Sequence, residues 1–151
     1  MTDIALGTTE DVERCVDLWV QALQHRDGEV AAEAVAARMH KLFDGPLVRF
    51  ALAGEPLAAF ALTAPKSGDE TTAVLERIAV LPVSSGKGIG RALLKDAMLA
   101  SKDAGYDTIE LAVRRGNPAV RLYEQQGFRA VSGPVPHPLG GEPMITFSVG
   151  L

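Results

Sequence analysis

The sequence predicts a mixed α/β (α+β) fold with a mostly antiparallel central sheet of about six or seven strands flanked by about four helices. Three observations predict it. Short apolar or alternating segments bounded by turn residues recur along the chain, as strands do. Longer segments between them carry helix caps and apolar residues spaced by three and four. A length of 151 residues with 47% hydrophobic composition suffices to close one core and is short for two ordinary domains, so residues 1–151 are expected to form a single domain.

Taken in order, Ile4 to Leu6 reads as a short opening strand, and Thr8 or Thr9 is placed to cap a helix running through about Leu23. A second helix is expected over roughly Glu29 to Phe43, with Val30, Ala34, Ala37 and Leu42 facing a core. Leu47–Ala53 and Pro56–Thr63 read as a hairpin turned by Gly54 and Glu55. After a polar loop from Lys66 to Glu70, the β-rich run Ala73–Leu81 reads as the central strand, stopped by Pro82, which cannot donate to a ladder.

The next helix opens at Gly86, Gly88 and Gly90, shows Ile89, Leu93, Ala97, Ala100 and Ala104 at helical spacing, and ends at Gly105. Ile109, Leu111 and Val113 alternate as a strand. Asn117 followed by Pro118 then starts a helix, Asn as cap and Pro at its first position, running to about Gln126. Gly127 and Phe128 fit a Schellman ending, with the glycine left-handed and the phenylalanine folded back on Leu122 or Tyr123. The chain returns as a strand, crosses a Pro/Gly-rich loop over Ser132–Pro143, and finishes with a strand over Met144–Val149.

Composition narrows the function classes. A net charge of −4 gives no broad basic surface for nucleic acid. No apolar run reaches the roughly 18 residues of a membrane span, and the first residues lack a secretory pattern, so a soluble, cytoplasmic protein is expected. The lone Cys15 excludes an intramolecular disulfide and a cysteine-based zinc site, and no metal is expected. It sits at helical spacing with Val12, Leu18 and Trp19 and reads as a buried structural thiol.

Chemistry concentrates where the central strand meets its helix. A glycine-bearing loop feeding a helix presents free N–H groups and the positive helix end to one point, which suits phosphate. Gly86 and Gly88 let the backbone approach an anion, Gly90 keeps the first turn clear, and Lys87 or Arg91 adds charge-assisted bonds; otherwise these glycines merely connect strand to helix. A Walker loop is excluded because Lys87 is followed by Gly88 rather than Ser or Thr. A dinucleotide fingerprint counted from Gly86 finds Arg91 at its third glycine, and Glu110 lies mid-strand, so that reading is the weaker alternative.

The segment from Ile78 to Leu94, centred on Ser85-Gly86-Lys87-Gly88-Ile89-Gly90, resembles the acetyl-CoA-binding motif [QR]-x-x-G-x-[GA] of the GNAT superfamily of N-acetyltransferases, with Ser85 where Arg or Gln is common. The segment from Asn117 through Tyr123 to Gly127 and Phe128 is similar to a second motif of that family, with Val120 where Ala is usual. Together they cover about Leu75 to Val131. The resemblance implies a GNAT-like sheet and direct acetyl transfer from acetyl-CoA to a primary amine of a small molecule or peptide, without a covalent enzyme intermediate. It also allows a homodimer.

By the same resemblance, main-chain groups of Ile78, Ala79 and Val80 bind the pantetheine arm, Ser85 through Arg91 and Asn117 help to hold the cofactor, and Tyr123 contacts the sulfur and protonates it. Glu76 is the first candidate for a base acting through water: it interrupts an apolar strand, on the face expected to carry Val74, Ile78 and Val80, where burial would raise its pKa. The alternative is that Glu76 only pairs with a basic neighbour. Glu110 is the second candidate. Ala112 stands where some members of the family carry a glutamate. His137 and Glu142 are potential acceptor contacts or plain surface residues, and the acceptor pocket is expected from Val20–Phe43 and Ser132–Pro143. A non-catalytic acyl-CoA-binding module is the other reading of the same motifs.

Overall fold

A computed structural model of the chain describes residues 3–28 and 30–151. Strand β1 (Ile4–Leu6) leads into a 3-10 turn over Thr9–Asp11 that Thr8 caps: its hydroxyl accepts from Glu10 N, and the Asp11 carboxylate accepts from Thr8 N at 2.8 Å. Helix α1 (Val12–Asp27) runs beyond the expected Leu23 and ends at Gly28, whose φ of 80° a side chain would resist. Helix α2 spans Ala32–Asp44; the expected start at Glu29 lies outside the described residues, and Val30 and Ala31 precede the helix.

The remaining elements are β2 (Arg49–Ala53), β3 (Ala59–Lys66), β4 (Asp69–Val80), α3 (Ile89–Asp103), β5 (Thr108–Arg114), α4 (Val120–Gln125), β6 (Arg129–Val135) and β7 (Met144–Gly150). The sheet runs β1-β2-β3-β4-β5-β7-β6, so β4 is central as expected. Every neighbouring pair is antiparallel except β4 and β5, which are parallel. Each face of the sheet buries its own core. Leu93, Leu94 and Ala97 of α3 and Tyr123 of α4 pack on Leu75, Ile109, Leu111 and Val113 on one face. Cys15, Val16 and Leu18 of α1 and Met39 of α2 pack on Phe50, Leu52, Phe60 and Leu62 on the other. Full burial of such apolar side chains contributes roughly 1.5–3 kcal/mol each.

Several expected boundaries move, for physical reasons. The β2–β3 connection is residues 54–58 rather than Gly54 and Glu55 alone, because the ladder resumes only at Ala59, opposite Ala53. The expected loop over Lys66–Glu70 shrinks to Ser67 and Gly68, since Gly68 (φ 80°) allows a tight turn while Asp69 bonds Thr71 and Thr72 and extends β4. Strand β6 continues to Val135 because Ser132 and Val135 pair with Thr146 and Met144, so the last loop is residues 136–143. Helix α4 begins at Val120: Asn117 Oδ1 accepts from Ala119 N at 2.9 Å and spends the first turn as a cap rather than as helix. The Schellman ending is present, with Phe128 N donating to Tyr123 O at 3.1 Å, Gly127 N to Glu124 O at 3.0 Å, and the two rings 6.1 Å apart.

Two irregularities open the sheet where a site can form. The parallel ladder of β4 with β5 covers only Thr72–Val74 against Thr108–Glu110, so the two strands part beyond it and the β5-facing edge of β4 from Leu75 onward has no ladder partner. On its other side β4 bulges: Leu62 pairs with Arg77 and Thr63 with Leu75, which leaves Glu76 as the extra residue.

Candidate active site

The loop after β4 carries the phosphate-type feature. Residues Pro82–Ser84 form a 3-10 turn, Gly86 and Gly88 are left-handed at φ 78° and 81°, and Gly88 caps α3. The first main-chain N–H of α3 with a main-chain acceptor is Ala92, bonded to Gly88 O at 3.1 Å; among the described residues those of Gly86 through Arg91 have none. A Cβ at Gly86 or Gly88 would meet nothing within 4 Å, so the cradle is open on its ligand side. Such a row of free N–H groups at the positive end of a 15-residue helix fits a pyrophosphate.

The residues of this loop also have local neighbours of their own. A Cβ at Gly90 would stand 3.6 Å from Leu122 and 3.8 Å from Val80, ordinary van der Waals contact with α4 and β4. The Ser85 hydroxyl donates to Pro82 O at 2.8 Å and braces the turn. Arg91 reaches Gln125 Oε1 at 3.2 Å, tying α3 to α4, whereas Lys87 is exposed and Ile89, the first residue of α3, packs against the core.

From this loop a small cavity lined by Ser85, Pro82, Val80, Ala79 and Ile78 adjoins a larger one of about 730 Å³, the two sharing Trp19, Leu23, Arg26 and Ile78 in their walls. The larger cavity occupies the gap between the parting strands, with Glu76 and Arg77 on β4, Leu111 to Arg114 on β5, and Asn117 and Tyr123 beyond it. Its remaining walls come from Leu23 to Arg38 and from His137 to Glu142, the two stretches expected to shape an acceptor pocket.

The bulge corrects the predicted face of Glu76. Ile78 and Val80 share the α3 side with Leu75, Ala79 lies on the α1 side, and Glu76 stands at the point where the alternation inverts. Burial raises its carboxyl pKa above the usual range, against the opposing pull of Arg77 and Arg38. Arg77 bonds the Glu76 carbonyl oxygen at 2.6 Å rather than pairing with its carboxylate, and its guanidinium lies 5.3 Å from the Trp19 ring. Glu110 bonds Lys66 at 3.1 Å and does not line the cavity, although its charge adds to the upward shift of Glu76.

Tyr123 is 5% exposed yet lines the cavity, and burial pushes its phenol up to about 12, so it is protonated throughout the neutral range. Cys15 is fully buried with its thiol pushed up to about 12, which leaves no reactive thiolate. Sequence reasoning missed Trp19 and Arg77 as cavity residues, and it covered Arg38 only as part of the stretch Val20–Phe43 without singling it out. Arg77 had a readable signal, a second charge inside an apolar strand; Arg38 had none, since a charged residue on a helix surface is ordinary.

No helix among the described residues is long and apolar enough to cross a membrane, and no group of three His, Cys, Asp or Glu stands together there to hold a metal. A model of the acetyltransferase (GNAT) family matches residues 12–128. The ribosomal protein bS18-alanine N-acetyltransferase of Haemophilus influenzae is 41% identical over 76 residues, 48% of this chain and 51% of that protein. The mycothiol acetyltransferase of Propionibacterium freudenreichii is 41% identical over 56 residues, 36% of this chain and 18% of that protein. These matches thus span about half and about a fifth of the curated relatives. The crystal structure of the Escherichia coli ribosomal-protein-S18-alanine N-acetyltransferase superposes with a TM-score of 0.77 at 25% identity, covering 99% of this chain and 94% of that one. A Salmonella typhimurium structure solved with acetyl-CoA has the same fold, at 18% identity, TM-score 0.76, and coverage of 99% and 94%. With the family model spanning most of its length, and with the glycine loop, the parted β4 and β5 and the Asn117-to-Phe128 segment in place, the chain belongs to the GNAT acetyltransferase family.

Proposed function

We propose that the protein is an N-acetyltransferase that moves the acetyl group of acetyl-CoA directly to a primary amine of a small molecule or peptide. The observation that carries this reading is the run from the free N–H groups at Gly86–Arg91, along the unpaired edge of β4, into the cavity that holds Glu76 and Tyr123. Acetyl-CoA supplies an activated acyl group whose thioester needs no enzyme nucleophile. The loop N–H groups would hold its pyrophosphate, and main-chain groups of Ile78, Ala79 and Val80 would pair with the pantetheine amides as an added strand does.

Within the cavity the proton inventory closes. An alkylammonium with an ordinary pKa of about 10.4 must lose a proton before attack, and Glu76, directly or through water, takes it. The amine nitrogen bonds the carbonyl carbon, the carbon–sulfur bond breaks as Tyr123 donates its phenolic hydrogen to the departing sulfur, and the second proton on the new amide nitrogen passes through water to restore the phenol, leaving the net proton on Glu76 to go to solvent. An N–H on the open edge of β4 facing the thioester oxygen would stabilise charge that develops only in the transition state. Glu110, paired with Lys66, serves as the alternative base if Glu76 is silent. An alanine amine of a ribosomal protein, the acceptor in the name of the Haemophilus relative, falls within this reading.

Calorimetric titration with acetyl-CoA beside NADH tests it. Binding of acetyl-CoA alone, followed by amine-dependent release of CoA thiol, is expected; binding of NADH alone would promote a dinucleotide site instead.

A further inference from the structure

The charge of the cavity runs against that of the chain. The protein carries a formal −4, yet the cavity wall holds more arginines than carboxylates. Most of these charges are satisfied locally. Arg26 pairs with Asp27 at 3.0 Å, Arg115 with Glu142 at 3.3 Å, and Arg114 donates to the carbonyl oxygens of Gly140 at 2.6 Å and Glu142 at 2.8 Å. Among the described residues Arg38 and Arg77 form no ion pair within 4.0 Å, and Arg77 Nε is buried without a hydrogen-bond partner. That Nε is closed off from solvent, but Arg77 lines the cavity all the same, so its guanidinium brings the site a charge that no carboxylate among the described residues neutralises within 4.0 Å.

His137 stands in the same field. Burial, then the charges of Arg114, Arg38 and Arg77, hold its imidazolium below the usual pKa. Leu139 N donates to His137 Nδ1 at 2.9 Å, which places the neutral ring's proton on Nε2 and leaves that nitrogen a donor rather than a base. With Asp27 and Glu142 already paired to Arg26 and Arg115, Glu76 is the carboxylate left to face an ammonium, and Arg38, Arg77 and the His137 ring add donors and positive charge. This end of the cavity is a poor host for a polyamine or a basic peptide.

Resting on the acetyltransferase reading above, we infer that the acceptor is an anionic amine, one carrying a carboxylate or phosphate close to its amino group. Arg38 and Arg77, with the Nε2–H of His137, bind the anion while Glu76 faces the ammonium. Planar guanidinium forks recognise both kinds of oxyanion, which is why the two sources share one site.

The test uses the CoA-loaded protein with matched acceptors: a short peptide with acidic residues after its free N-terminus, the same peptide with lysines, its neutral amide form, and aminoethyl phosphate with ethanolamine as its control. Each is measured for binding as well as turnover. The anionic member of each pair is expected to bind at least about tenfold more tightly. Preference for the peptide pair or the phosphate pair tells carboxylate from phosphate. Arg38→Glu, on an exposed helix position, should invert the preference with acetyl-CoA affinity unchanged, and Arg77→Gln should erase it if the variant folds. Equal or better binding of neutral or basic members overturns the inference, as does an Arg38→Glu variant that keeps the anionic preference or that loses acetyl-CoA instead. Failure of the wild type to bind acetyl-CoA at all would sink the parent reading, which is a separate result.

Discussion

The two ends of the cavity are built by different means. At the cofactor end the work falls to main-chain groups: free N–H groups from Gly86 to Arg91, left-handed glycines, and a strand edge released by the parting of β4 and β5. At the acceptor end side chains from α1, α2, the β4 bulge and residues 136–143 converge, each from a different part of the chain. A backbone site constrains conformation and so tolerates few residue types, whereas a side-chain site can be rewritten one residue at a time. Cofactor affinity should therefore respond to backbone changes, and acceptor use to side-chain changes.

The largest expected effect breaks the first half of that contrast. Gly88→Val puts a β-branched residue at φ 81°, a conformation it resists by roughly 1–3 kcal/mol, and places a side chain in the open cradle. Loss of acetyl-CoA binding of about 100-fold or more is expected by calorimetry, with α3 still formed by circular dichroism. Unchanged affinity would mean that the cradle holds something else.

Next comes Tyr123→Phe, which keeps the packing on Phe128 and removes the proton. Turnover should fall by about 10²-fold while acetyl-CoA affinity stays near wild type. Stability supplies an independent check. The phenol's folded pKa of about 12 lies above its ordinary 10.0, so the folded state holds this proton more tightly. Its contribution is complete below pH 10 and is lost as pH rises towards about 12, so alkaline unfolding should be less steep in the variant.

That division also explains what was legible. The glycine loop, the Asn117 cap and the Gly127–Phe128 ending are local devices, set by residues within a few positions of each other, and each lies where the sequence puts it, though Asn117 caps a turn ahead of α4. The number of strands and the central place of β4 were also legible, whereas the insertion of β7 between β5 and β6 was not, since it pairs segments far apart in the chain. The bulge at Glu76 was not legible, because it arises from a mismatch of register with β3, and a strict period-2 reading put Glu76 on one face with Ile78 and Val80. The short β4–β5 ladder, which opens the cavity, depends on two strands whose sequences carry no mark of where pairing stops. That Arg38, of the expected stretch Val20–Phe43, lines the site follows from the tertiary placement of α2.

The acceptor end gives the third prediction. Glu76→Gln removes the base, so kcat should fall by about 10²-fold or more with acetyl-CoA affinity retained. Wild-type kcat/KM should rise with pH through a value above the ordinary carboxylate range, because burial outweighs the neighbouring arginines, and this limb should vanish in the variant. A folded pKa above the unfolded one means that stability from this carboxyl is present at low pH and lost as pH rises through the folded value. At neutral pH Glu76→Gln should therefore melt higher than wild type. If Glu110→Gln abolishes the limb instead, the base lies on β5.

The smallest expected effect concerns neither end but the joint between them. Arg49 on β2 donates to Asp96 on α3 through Nε at 3.0 Å and Nη2 at 2.7 Å, a bidentate pair that fixes α3, and with it the glycine loop, against the sheet. The pair is partly buried, so Asp96→Asn should cost about 1–2 kcal/mol, or roughly 2–8 °C of melting temperature, by leaving a guanidinium without its carboxylate. If the cofactor end is held by its own backbone, acetyl-CoA affinity will change less than twofold at a temperature where the variant is folded. A larger loss of affinity, with acceptor KM unmoved, would show that the cradle's geometry is set by how α3 docks on β2 rather than by the loop, and would extend the backbone-built region from the glycines to the whole length of that helix.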